Sequence, residues 1–350
     1  MDTACLSGRA SRQMRKGVAR SKARAWPATQ RRRKRDNARK AVQNKRPRSN
    51  RIRQETDMMA EIIYRDWDQE RLDAEVNLRA RWPDHADFIE RWARDSSAVR
   101  GRRHGLIDLA YGASPGERLD LFPVSGATAA PVLAFIHGGY WQALDKGHHS
   151  DLAPAFVDQG IAFASLNYDL APKAKIGDMI EQVRAALAYL HDHAGRLGLD
   201  PERIFVAGHS AGGHLAVSAL DRDWPAQRGL PRDLVKGALS LSGVYDLEPI
   251  RLSYHQAVLG LDADEVAAWS PRRSLPTDAG PLLLAVGGAE TNEFLLQQEE
   301  FLAAWRGAGL RAGAVDLPGR HHFDVVETLG APDHPLHQAL AGLIARGDLE

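Results

Sequence analysis

The chain of 350 residues contains a single cysteine, Cys5, so no disulfide can form within it; that fits a reducing compartment. No apolar run approaches the ~20 residues needed to cross a bilayer. The N-terminus is Arg-rich nearly throughout and lacks the apolar core of a secretory signal. A cytoplasmic protein with no membrane role is the expectation. The histidines show no metal spacing such as H-E-x-x-H, and neither a P-loop nor a Gly-rich dinucleotide fingerprint is present. We therefore expect no metal and no other cofactor.

Net charge is scarce too, at +1, but the charges are segregated. Met1 to Asp57 holds 19 Lys and Arg against 4 Asp and Glu, whereas the remainder holds 27 against 41. An acidic body bears a basic arm, with RRRKR at 31–35 and KRPR at 45–48. Such a segment cannot bury enough surface to offset its ordering entropy, so residues 1–57 are expected to be a disordered extension. Met58 and Met59 directly precede the first amphipathic stretch, and a translation start there is the favoured account of the arm. If the arm is natural, it suits nucleic acid or another anionic surface, because clustered Lys and Arg attract phosphate without reading sequence. A transit peptide fits less well, since the run is charged all round.

The folded domain is read as 58–350. From Glu61 to Arg100, spaced apolar residues such as Trp67, Leu72 and Val76 predict one or two helices packed on the body. Asp66-Trp67-Asp68 is assigned to packing. Beyond residue 104, β-rich runs appear at 107–111, 118–122, 132–136, 162–167, 204–207, 238–241, 282–286 and 314–317. Several are continuously apolar, as strands covered on both faces are. Helical spacing falls between them over 176–197, 295–305 and 336–344. The pattern predicts an α/β architecture, a mostly parallel eight-stranded sheet with helices on both faces. Ligands bind such sheets beyond the carboxyl ends of the strands.

The polar clusters stand at those ends. Gly208-His209-Ser210-Ala211-Gly212 follows one strand run and precedes a helical one, the setting of a G-x-S-x-G nucleophile elbow. By chance alone the pentapeptide would mean little; strand before and helix after make Ser210 the candidate nucleophile. The Ala211 N–H would then lie at a helix N-terminus, aimed at a developing oxyanion. His137-Gly138-Gly139-Tyr140-Trp141 follows another strand and resembles an HGGG-type oxyanion loop with Tyr140 in the last glycine's place. Gly138, Gly139 and Tyr140 are candidate donors. His137, Tyr140 and Trp141 are candidate substrate contacts, although His137 reads better as a loop brace and Trp141 equally well as packing.

A serine hydroxyl needs an oriented base. In this fold the chain order is serine, acid, histidine. Glu290, which follows the 282–286 run most closely, is the candidate acid; Glu293 is the runner-up, with capping of the next helix as its other role, and Asp246 is third. Of His321 and His322, the latter is chosen as base and the former is the alternative. Tyr254 and Trp269, in the segment between strands, are assigned to a cap over the site.

Together HGGYW (137–141), GHSAGGH (208–214), GGAETNEF (287–294) and HHF (321–323) resemble the kynurenine formamidase (arylformamidase) family of α/β-hydrolases. The resemblance covers roughly Met59 to the C-terminus, and HGGYW is its most specific element. It implies Ser210 as nucleophile, Glu290 as acid where many members carry Asp, and His322, the histidine before phenylalanine, as base. It also implies hydrolysis of N-formyl-L-kynurenine to L-kynurenine and formate, a step of tryptophan breakdown. The expected partner is a small aromatic substrate; a homodimer is allowed, and nucleic-acid contact would come only through the arm. The competing readings are a carboxylesterase for short acyl esters using the same residues, and a non-catalytic binding module on the same fold.

Overall fold

A computed structural model describes residues 61–349; the basic arm and the expectations placed on it lie outside them. Eight strands form one sheet: β1 (Leu106–Ala110), β2 (Arg118–Phe122), β3 (Ala130–Ile136), β4 (Ala162–Leu166), β5 (Leu199–His209), β6 (Val235–Leu241), β7 (Leu282–Gly287) and β8 (Ala312–Leu317). Their spatial order is β1-β2-β4-β3-β5-β6-β7-β8. β2 pairs antiparallel with both β1 and β4, and all later pairings are parallel. This is the α/β-hydrolase sheet. Each of the eight expected runs is a strand, with ends shifted; β5 begins at Leu199 rather than 204.

The continuous apolar runs have the cause expected of them. Every residue of β3 is buried, as a central strand covered on both faces must be. The strand order reverses between β3 and β5, and ligand crevices open at such switch points. Register sharpens this, because Ile136 lies opposite Gly208. The residues that leave β3 and β5 therefore emerge side by side.

Ahead of the sheet lie three helices where one or two were expected: α1 (Gln69–Val76), α2 (Leu78–Arg81) and α3 (His85–Arg102). Asp68 caps α1 by accepting the Arg71 N–H at 2.9 Å, and Trp67 is buried, so the Asp-Trp-Asp stretch is structural as expected. Leu72, Val76, Leu78 and Trp92 bury the inner faces of these helices.

After β3, α4 (Ala153–Val157) packs on β4. The expected helix over 176–197 is two, α5 (Ile176–Asp192) and α6 (Ala194–Leu197), parted at His193. The His193 ring turns back onto Tyr189, stacking at 4.3 Å and bonding its carbonyl through Nδ1 at 2.9 Å. α5 buries Met179, Ile180, Val183, Leu187 and Leu190, each contributing roughly 1.5–3 kcal/mol on leaving water. α7 (Ala211–Ser218) follows β5 directly. The remaining expected helices run over Asn292–Gly307 and Pro335–Arg346, while three short ones, Glu248–Leu252, Gln256–Leu259 and Ala263–Trp269, fill the β6–β7 connection. Among the described residues no helix is long and apolar enough to cross a membrane.

Candidate active site

β5 ends at His209, and Ser210 turns the chain into α7 with φ 58° and ψ −122°. A non-glycine residue at such a φ is strained and persists only where its surroundings over-determine it. Here the Ser210 N–H donates to the Leu241 carbonyl of β6 at 2.9 Å, and its carbonyl accepts from the Gly213 N–H at 2.8 Å. The elbow also needs Gly212, where a Cβ would stand 2.1 Å from the Ile136 carbonyl oxygen.

The loop leaving β3 passes equally close. A Cβ on Gly138 would meet the His209 carbonyl oxygen at 2.8 Å and Ser210 Cβ at 2.9 Å, so only glycine lets the two turns touch. Beyond it Gly139, Tyr140 and Trp141 all have positive φ, at 100°, 49° and 57°. Among the described residues the N–H groups of Gly139, Tyr140 and Ala211 donate to nothing. Gly139 and Tyr140 line the same cavity as Ser210.

His322 arrives from the turn after β8 and lines that cavity too. Its Nδ1 donates to Glu290 Oε2 at 2.7 Å. The other carboxylate oxygen accepts from the Gly287 N–H at 3.0 Å and from the Ser242 hydroxyl. No hydrogen bond joins Ser210 Oγ to the His322 ring among the described residues. The contact of Ser242 with Glu290, made at φ 51° after β6, is one the sequence did not reveal, because nothing in Ser242-Gly243-Val244 marks it.

The other acids face elsewhere. Glu293 accepts from Arg65 Nε at 2.9 Å, from the Tyr64 hydroxyl at 3.1 Å and from Gln297 at 2.9 Å. Burial pushes its pKa up against these partners. It tethers the segment before α1 rather than approaching His322. Asp246 is a buried loop residue that pairs with Arg273 at 3.0 Å. His321 stacks on Trp82 with ring centroids 5.3 Å apart.

Two expected substrate contacts are corrected. His137 is fully buried, stacks on Tyr168 at 4.4 Å and bonds Asn167 Oδ1 at 3.2 Å through Nε2. Burial lowers its pKa to about 4, so it is an uncharged brace for the loop. Trp141 is fully buried as well and meets His214 edge-on at 5.1 Å. It does not line the cavity. Trp269 does not line the cavity either; its carbonyl accepts from His214 Nε2 at 2.7 Å.

The cavity itself, about 450 Å³, owes much of its wall to the helices ahead of the sheet. Leu78, Arg79, Ile89 and Trp92 line one side, and Tyr254, His255 and Val258 another. Tyr140 joins these walls, since its hydroxyl donates to the Val76 carbonyl at 2.9 Å and its ring stacks on His255 at 4.0 Å. Burial lowers the pKa of His255 to about 4. His209 donates from Nε2 to the His322 carbonyl at 2.8 Å. Its pKa is held well down by burial and by the neighbouring His322 and His149 rings. Among the described residues no group of three or more His, Cys, Asp or Glu is placed to hold a metal ion.

Comparison with known proteins gives a consistent set of relatives. The family model described as BD-FAE matches residues 119–223. A kynurenine formamidase of Salmo salar is 31% identical over 71% of this chain and 85% of its own length. One of Danio rerio is 32% identical, covering 69% and 82%. Among solved structures, a candidate thioesterase of Silicibacter sp. TM1040 is 30% identical with a TM-score of 0.68, covering 77% of this chain and 98% of that one.

Proposed function

The chain belongs to the kynurenine formamidase family and is a hydrolase of the formamidase or esterase kind; from that premise we propose that it converts N-formyl-L-kynurenine to L-kynurenine and formate through a seryl ester. The observation that carries the reading is the Glu290–His322 pair at 2.7 Å, on a cavity that Ser210 also lines.

In this mechanism Ser210 Oγ attacks the formyl carbon while its proton passes to His322 Nε2. Glu290 orients the ring through Nδ1 and offsets the charge that the ring gains. The carbonyl oxygen becomes an oxyanion within reach of the N–H groups of Gly139, Tyr140 and Ala211. A well-placed donor of this kind is worth roughly 3 kcal/mol. As the tetrahedral carbon collapses, His322 returns the proton to the departing aryl nitrogen. L-kynurenine leaves, and the formyl group remains on Ser210. A water deprotonated by His322 then attacks the ester; formate departs and the proton returns to Oγ. The cavity suits such a substrate because its wall is aromatic and aliphatic, with Trp92, Tyr140 and Tyr254 available to an aryl ring. The formyl side needs almost no room.

The test is release of L-kynurenine from N-formyl-L-kynurenine by the purified chain, beside its Ser210→Ala variant. Turnover should fall by about 10³-fold or more in the variant. Rapid cleavage of p-nitrophenyl acetate with the aryl formamide untouched would instead make the chain a short-acyl carboxylesterase.

A further inference from the structure

A small cavity that takes an uncharged ester has no use for a fixed charge, yet this one carries a single permanent charge. Arg79, on the short helix α2, lines it, and no aspartate or glutamate does. Two histidines of the wall, His209 and His255, do not add to that charge, because burial keeps them neutral. Arg79 is exposed and joins no ion pair, hydrogen bond or ring contact among the described residues. Tyr254 lines the same cavity, near enough for its hydroxyl to feel the Arg79 charge. Burial and the Asp73 carboxylate raise the pKa of that hydroxyl while Arg79 lowers it. Asp73 itself is occupied, accepting the Tyr254 N–H at 3.0 Å, and does not line the cavity.

We propose that Arg79 is a specificity-determining residue that binds the carboxylate of an anionic substrate whose acyl carbon lies at Ser210, with the Tyr254 hydroxyl as a second donor. The planar guanidinium offers a carboxylate two parallel N–H donors, a geometry that a neutral ester cannot use. The proposal rests on the function assigned above and deepens it: Arg79 is the residue that reads the amino-acid carboxylate on the leaving group of the formamide. It also gives the helices ahead of the sheet a part in recognition, since Arg79 reaches the site only because α1 and α2 fold over it.

The experiment compares N-formyl-L-kynurenine with its methyl ester, which has the same formamide but no carboxylate. Wild type should prefer the acid, and in Arg79→Gln the ratio of the two kcat/KM values should drop by about 10- to 100-fold, mainly through KM of the acid. Arg79→Lys should restore part of the ratio, because it restores charge without the fork. A ratio that stays put in Arg79→Gln overturns the proposal, whatever the common loss on both substrates. If the wild type cleaves neither formamide, the assigned function fails on its own. Inhibition of p-nitrophenyl acetate cleavage by L-kynurenine and by its methyl ester then reads the same contact. A preference for the acid that vanishes in Arg79→Gln upholds the carboxylate site, and equal inhibition of wild type by both compounds removes it.

Discussion

Glu290 holds His322 at 2.7 Å with one oxygen while the Gly287 N–H and the Ser242 hydroxyl hold the other. A carboxylate gripped at both ends can fix the plane of an imidazole, and that rigidity is what an orienting acid contributes. Glu290→Gln should keep the fold but lower kcat by about 10³- to 10⁴-fold, because the amide cannot hold the ring in the same tautomer. Glu293→Gln should do the reverse. It breaks a largely buried pair with Arg65, so the melting temperature should drop while turnover survives. Kinetics and melting curves of both variants check the pair of outcomes, and an inactive Glu293→Gln with a normal melting temperature would reverse the assignment.

The two adjacent histidines should separate in the same way. His321→Ala loses a stack on Trp82, worth about 1 kcal/mol, and should retain turnover within a few fold. His322→Ala should lose about 10³-fold or more in kcat. Alanine variants assayed on one substrate decide it, and a dead His321→Ala would move the base.

Gly138→Ala probes the contact between the two turns. Its added carbon has no room beside the His209 carbonyl and Ser210 Cβ, so the loop must move away from the serine and carry the Gly139 and Tyr140 N–H groups with it. The expectation is a kcat loss of roughly 10²-fold, the scale of one lost oxyanion donor, with KM much less changed. A rise in KM alone would place those N–H groups in substrate binding.

A pH effect on stability should come from Asp151, in the turn between β3 and α4 that packs on α3. Burial raises its pKa to about 6, although the Ser96 hydroxyl donates to it at 3.0 Å. The folded state therefore holds the proton more tightly than the unfolded one. Its stabilising contribution is complete below about pH 4, where both states are protonated, and is lost as pH rises through about 6. Asp151→Asn mimics the protonated form and should be more stable than wild type at pH 8, on the order of 2 kcal/mol. The gap should shrink toward pH 4. Melting temperatures at both pH values test this; a gap that does not depend on pH would refute it.

Much of the site was legible because its signals are local. A strand, a small-residue pentapeptide and a helix are contiguous, so Ser210 could be read from its own neighbours, and so could the paired glycines after β3. Glu290 could be ranked above Glu293 by distance from its strand alone. What was not legible depended on side-chain direction. Trp141 adjoins Tyr140 in sequence, yet one fills the core and the other faces the cavity, since both adopt positive φ in a turn whose shape no period predicts. His137 was read both as brace and as contact, and only its stacking on Tyr168 separates the two.

The amino-acid order alone therefore determined the sheet, its mostly parallel sense and the strand ends at which reactive groups gather, because burial on two faces writes continuous apolar runs into a sequence. The tertiary structure decided which walls close the cavity, which carboxylate turns to His322, and that Ser242 supports it. Those outcomes join residues far apart along the chain, such as Val76 with Tyr140 or Ser242 with Glu290. No local pattern records such pairings, because each is set by how whole elements pack.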